Sequence, residues 1–187
     1  MKVRSLIKSA LYPLYERRIL TNLDLKKTPH HIGVILDGNR RWAKENPSLS
    51  GDTSSARGHR AGANKIIELL GWCEETEISV VTLWLLSSDN LKRPDAELAP
   101  LFAIIEETVS QLGSTGRWKI KPVGAFELLP PQLRQTLKDV EAKSSHAGGI
   151  TVNVAIGYGG RLEIVDAVKR YITDSASVGK GSEQIVK

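Results

Sequence analysis

The chain predicts an α/β fold with a mainly parallel central sheet flanked by helices. Three observations carry that expectation. Short strand-like stretches recur at 32–36, 80–86, 118–123 and 150–156, the first two as apolar runs. Longer segments with apolar residues at helical spacing lie between and after them. The two kinds alternate along the chain, which is the signature of crossover connections and parallel pairing. With 187 residues, 41% of them hydrophobic and 25% charged, the chain can bury one substantial core.

The elements follow in order. Residues 2–20 read as an amphipathic helix. Leu6, Ile7, Leu11, Leu14 and Tyr15 are set among Lys2, Arg4, Lys8, Arg17 and Arg18, with Pro13 as a kink or break. It predicts either a helix packed on the domain or a basic surface anchor on anionic lipid. Asn22 to Pro29 is a polar connector. Residues 32–36 form the first strand. Residues 58–76 form a helix with Ile66, Ile67, Leu69, Leu70 and Cys73 at helical spacing. Val80 to Leu86 is a continuous apolar run, so a buried strand. A helix over 95–112 starts near Pro94-Asp95 and ends at Gly113. Trp118 to Val123 is a strand, and Pro130-Pro131 opens a helix over 130–144. Ile150 to Ile156 is a strand. The last helix, 161–173, carries Leu162, Ile164, Val165 and Val168 on its expected buried side. Glu45 to Ser55 is polar and reads as a mobile loop.

The net charge of +5 fits a phosphate-bearing ligand, an anionic membrane or nucleic acid, without choosing among them. Aromatic platforms and basic stripes for single strands are lacking, so nucleic acid is not expected as a partner. One cysteine, Cys73, excludes an intrachain disulfide framework and reads as a core thiol. No apolar run approaches the roughly 20 residues of a membrane span, and no secretory segment is evident. The expected compartment is the cytoplasm, with membrane association as the variant the N-terminal helix suggests.

The most informative segment is Ile32 to Trp42. Its apolar run ends abruptly in Asp37-Gly38-Asn39-Arg40-Arg41-Trp42. That reads as a buried strand opening into a tight loop and a helix start, where free backbone N–H groups can receive an anion. Two guanidinium groups add forked donors for phosphate oxygens. Asp37 would repel phosphate by itself, so a Mg²⁺ between carboxylate and phosphate is expected. Two further clusters also follow strands: Ser87-Ser88-Asp89-Asn90-Leu91-Lys92-Arg93-Pro94 and Gly157-Tyr158-Gly159-Gly160-Arg161. In a parallel sheet all three fall at one edge and are expected to line one cleft. Gly58-His59-Arg60-Ala61-Gly62 opens the next helix. The spacing of His30, His31, His59 and His146 matches no zinc pattern, and Gly157 to Gly160 is neither a Walker loop nor a dinucleotide fingerprint.

Taken together, these motifs resemble the cis-prenyltransferases, in family order and at family-like spacing. The double arginine, Leu85-Leu86 and Leu-Tyr-Pro-Leu-Tyr-Glu at 11–16 look most like the actinobacterial short-chain members that make Z,E-farnesyl diphosphate. The resemblance implies condensation of isopentenyl diphosphate with an allylic diphosphate, with Mg²⁺ as cofactor and a homodimer as assembly. It implies that Asp37 handles Mg²⁺ and assists departure of the diphosphate. Gly38, Asn39, Arg40 and Arg41 would cradle the allylic diphosphate, with His59 and Arg93 as further contacts and Trp42 near the entrance. Ser87, Ser88, Asp89 and Leu91 are substrate-side positions by the same resemblance. Asn90 belongs to the catalytic set; an amide is a poor base, so it would orient a proton path. Leu85, Leu86 and Leu91 would shorten the tunnel for the growing tail.

Departures from the family pattern include Ser55 and Arg57 around the usual arginine position, Leu91 for tryptophan and Gly157 for asparagine. The family's Arg-x-Ser-Gly-Glu-x-Arg segment is not found. The expected organisation is an amphipathic helix and connector at 1–28 and a catalytic domain at 29–187, C-terminally truncated. The rival expectation is a non-catalytic or regulatory subunit, or an inactive fragment.

Overall fold

The computed structural model describes residues 14–177. Its strands are β1 (His31–Ile35), β2 (Val80–Ser87), β3 (Lys119–Val123) and β4 (Thr151–Tyr158). All pair in parallel in the order β1-β2-β4-β3. The helices are α1 (residues 14–22), α2 (Asn39–Glu45), α3 (Ser55–Glu75), α4 (Asp95–Ser114), α5 (Pro131–Ser144) and α6 (Gly160–Ser177). The expected α/β class is therefore observed.

Register sorts the sheet by face. Ile32, Val81, Val152 and Ile120 form one row, and Val34, Leu83, Val154 and Pro122 the next. Their face joins Ile66, Leu70 and Cys73 of α3, Leu101, Ile105, Val109 and Leu112 of α4, and Leu133, Leu137 and Val140 of α5 in one core. Period-two alternation in the strands and helical spacing in the helices meet there. Cys73 is buried in this core, and burial raises its thiol pKa, which keeps it protonated. On the opposite face His31 Nε2 lies 2.8 Å from Thr82 Oγ1, and Asn153 Nδ2 donates to the same oxygen at 3.1 Å. Pairing moves from Trp84–Ala155 to Leu86–Ile156, so Leu85 is the extra residue of a β-bulge.

Helix boundaries have local causes. Ser54 accepts a hydrogen bond from the Arg57 N–H and starts α3 at Ser55, three residues before the expected position. Gly113 does not end α4. A Cβ there would lie 2.6 Å from Val140 Cγ1, so this glycine permits close approach of α5. β4 runs on through Gly157 to Tyr158, whose carbonyl accepts from Ser88 N at 3.0 Å.

Two expectations are corrected. Ile164, Val165 and Val168 are not buried; they are 66%, 46% and 52% exposed. Amphipathic spacing predicts an apolar stripe, and among the described residues α6 has no extensive packing partner to cover it. In α1, Leu14 and Tyr15 also stand exposed beside Arg17 and Arg18. The rest of the predicted N-terminal helix, including Lys2, Arg4, Leu6, Ile7, Lys8, Leu11 and Pro13, lies outside the described residues.

Glu74 closes the sheet's other end, away from the loops that follow the strands. It accepts from the indole N–H of fully buried Trp118 at 2.6 Å and pairs with Arg117, whose guanidinium lies 4.8 Å over the same ring. Glu74→Ala leaves that indole donor unpaired and is expected to cost about 1–3 kcal/mol. Urea unfolding measures it, and an unchanged midpoint would show that the carboxylate contributes nothing net.

Candidate active site

Chain direction puts the loops after β1 and β2 at the same end of the sheet, between α3 and α4. A cavity of about 540 Å³ opens there, within the 300–1,000 Å³ usual for small-ligand sites. Its mouth is polar: Asp37, Gly38, Asn39, Arg40 and Arg41 after β1, His59 from α3, and Ser87, Asn90 and Arg93 after β2. Its depth is apolar: Ala63 and Ile66 of α3, Leu85 and Leu86 of β2, and Leu101, Ile104 and Ile105 of α4, with Thr108 beyond.

Each mouth residue has a positional cause. Gly38 takes φ 83 as the N-cap of α2, a left-handed conformation that glycine adopts without strain. The Gly38 N–H donates to Asp37 Oδ1 at 2.6 Å, and Asp37 forms no ion pair among the described residues. Ser87 Oγ accepts from the Asn90 N–H at 3.1 Å, and Asn90 Oδ1 accepts from Arg93 Nη2 at 2.9 Å. That chain aims the guanidinium, and among the described residues the Asn90 side-chain N–H groups have no partner, which leaves them to a ligand or water. Burial first, then the charges of Arg93 and Arg40, lower the His59 pKa, against an opposing pull from Glu97.

Four expected site residues do not line this cavity. Trp42 is 42% exposed and stacks under the Arg57 guanidinium, 5.0 Å from its ring centre. Ser88 is tied to β4 through its N–H. Asp89 pairs outward with Lys92 at 2.9 Å, a bond that lowers its carboxyl pKa. Leu91 turns toward the core and Gly157.

The expected convergence of three clusters on one cleft is also corrected. Gly157, Tyr158 and Gly159 border a second cavity of about 330 Å³, with Glu127, Glu163 and Arg170. β4 lies beyond β2 from β1, so its end opens toward β3. Where the two cavities adjoin, Trp84 of the first packs edge to face on Tyr158 of the second at 5.4 Å, and Ser87 pairs with Tyr158 across the sheet. The sequence places the tail tunnel between the sheet and the helices at 58–76 and 95–112, but it singles out neither Ile35 nor Trp84, nor the individual residues of the α4 wall. Leu101, Ile104, Ile105 and Thr108 carry a helical-face signal, but that spacing reads equally well as core packing.

Comparison with known proteins gives a consistent answer. The sequence profile of the undecaprenyl diphosphate synthase family matches residues 35–187. An isoprenyl transferase of Streptomyces avermitilis is 50% identical over 179 residues, covering 96% of this chain and 68% of the relative. A (2Z,6E)-farnesyl diphosphate synthase of Thermobifida fusca is 52% identical over 174 residues, covering 93% and 66%. The crystal structure of lavandulyl diphosphate synthase from Lavandula x intermedia with dimethylallyl diphosphate superposes with a TM-score of 0.74. It is 28% identical, covering 86% of this chain and 67% of that one. The chain thus spans about two thirds of the length of these proteins.

Proposed function

This chain belongs to the undecaprenyl diphosphate synthase family, and from that membership we propose that it condenses isopentenyl diphosphate with an allylic diphosphate such as geranyl diphosphate. The product is a short cis-prenyl diphosphate, and pyrophosphate leaves. One observation carries the reading: three arginines and a histidine ring the mouth of a cavity whose depth is apolar. That division matches a charged head and a hydrocarbon tail.

In the reaction the allylic C–O bond breaks and its electron pair leaves with the diphosphate. A C–C bond forms to the isopentenyl double bond, and a proton is then lost. Negative charge grows on the departing group, where Arg40, Arg41, Arg93 and His59 stabilise it. Asn90 orients the acceptor of the released proton, water or pyrophosphate.

The residues fit a Mg²⁺ ion. Among the described residues no group of three His, Cys, Asp or Glu could hold a metal, yet Mg²⁺ commonly takes one or two carboxylates plus substrate phosphates. Asp37 offers such a carboxylate, with one oxygen already held by the Gly38 N–H. Bound there, the ion supplies charge neutralisation at the diphosphate. A homodimer in the cytoplasm belongs to the same proposal; no helix of the described residues is long and apolar enough to cross a membrane.

The test is prenyl transfer from labelled isopentenyl diphosphate and geranyl diphosphate with Mg²⁺, followed by sizing of the products. Short labelled product, abolished by EDTA, is expected. No product from a well-folded chain overturns the reading for this chain by itself and favours a non-catalytic role.

Product length follows from the bulge. Leu85 stands outside the alternation of β2 and occupies the tail cavity. Leu85→Ala is expected to shift the products to longer chains, read by chromatography. An unchanged distribution would remove Leu85 from length control.

A further inference from the structure

We propose that Asn39 is a positioning residue that fixes His59 as the Nε2–H tautomer and so presents that N–H to the anion at the cavity mouth. The anion role rests on the proposed function; the tautomer does not.

The amide orientation can be deduced. Asn39 lies with one side-chain atom 3.0 Å from the carbonyl oxygen of Leu36. A carbonyl only accepts, so that atom is the nitrogen, Nδ2. The same Nδ2 lies 3.2 Å from His59 Nδ1. A donor facing Nδ1 requires Nδ1 to be bare, which leaves the ring proton on Nε2. His59 lines the cavity, and Nε2 has no hydrogen-bond partner among the described residues. It is therefore a free donor beside Arg40 and Arg93.

Asn39 is held from further sides. A Cβ on Gly62 would lie 2.6 Å from Asn39 Oδ1, and a Cβ on Gly58 would overlap the Asn39 carbonyl. The two glycines, one helical turn apart, form a flat seat on α3 for Asn39. Protonating Nδ1 would set an N–H against the Nδ2 N–H. Turning the amide over would instead set Oδ1 against the Leu36 oxygen. Neither orientation satisfies both neighbours, so the seat favours neutral His59. Among the charged groups around the ring, Arg93 and Arg40 favour the neutral form and Glu97 opposes it.

The test is ¹⁵N imidazole spectroscopy of the full chain in mildly alkaline buffer, with His59 assigned by comparison with His59→Gln. In the unsubstituted chain Nε2 is expected to be the protonated nitrogen, and inorganic pyrophosphate should move its resonance. Asn39→Asp has the same shape but no N–H, so it should reverse the tautomer to Nδ1–H and weaken pyrophosphate binding about tenfold or more, the lost donor and the added negative charge acting together. Asn39→Ala should give a tautomer mixture; if it fails to fold, the aspartate variant still decides. A proton on Nδ1 in the unsubstituted chain, or an unchanged tautomer in Asn39→Asp, overturns the proposal. Reversal without weaker pyrophosphate binding overturns the donor role. Because the tautomer is read without substrate, absence of prenyl transfer would sink the functional reading alone.

Discussion

Replacing Asp37 with alanine is expected to lower prenyl transfer by about a thousandfold or more, through kcat. Asp37 is the only acidic side chain among the residues lining the cavity, set against Arg40, Arg41, Arg93 and His59. A free carboxylate in that setting repels diphosphate unless a cation bridges them. Loss of a bridging ion costs several kcal/mol of transition-state stabilisation, and each 1.36 kcal/mol is about tenfold in rate. A purely electrostatic role predicts something else: without Mg²⁺, removing the charge should tighten pyrophosphate binding. Both effects together, weaker catalysis and tighter metal-free binding, are the expected signature. Asp37→Asn separates the loop from the metal, because the amide oxygen can still accept from Gly38 N–H. It should be as inactive as the alanine variant. Substantial activity in Asp37→Asn would mean that the residue only shapes the loop.

Gly58→Ala is expected to be the most damaging change outside the charged set. Alanine at a helix interior normally gains about 1 kcal/mol over glycine. Here the new Cβ would overlap the Asn39 carbonyl oxygen and sit 2.7 Å from its carbon and 3.2 Å from Ala43 Cβ. Backbone cannot turn aside as a flexible side chain can, so α2 must move off α3. Overpacking of this kind costs about 1–3 kcal/mol, which outweighs the propensity gain. Displacing positioning groups by about 1 Å can cost about a hundredfold in rate. Activity should fall by about that factor, with a lower melting temperature. A variant as active as the parent would show that the α2–α3 contact does not position the mouth.

Much of this was legible in advance. Strands show in the sequence as short stretches rich in β-branched residues, near-continuous in Val80–Ser87 and alternating with polar residues in Lys119–Val123 and Thr151–Tyr158. The mouth residues from Asp37 to Arg41 follow from local chemistry at a strand end, whereas the roles of His59, Ser87, Asn90 and Arg93 follow from the family resemblance. Their partners follow from neither. The seat of Asn39 on Gly58 and Gly62 depends on how two helices cross, and no single-segment pattern carries a crossing. Leu85 looks like any other member of an apolar run, since a bulge is a property of pairing between strands. Ile164, Val165 and Val168 show the reverse limit: a stripe records that burial is compatible with a helix face, not that a partner is present. The turn at Gly157 borders a second cavity, because β4 sits between β2 and β3 and its turn faces the residues that follow β3.

That order bears on how the protein emerges during synthesis. β4 is made last of the four strands, yet it pairs with both β2 and β3. Until it arrives, β2 and β3 each present the edge that β4 later covers, and the β1–β2 pair is separated from β3. Such edges invite pairing with other chains, and long-range parallel contacts form slowly. A nascent chain halted before residue 151 would carry most of the hydrophobic core without the strand that joins its halves. Emergence of β4 from the exit tunnel, rather than formation of any early helix, is then the step at which the sheet closes. Chaperone demand should peak while the segment between α5 and Tyr158 is still inside the exit tunnel.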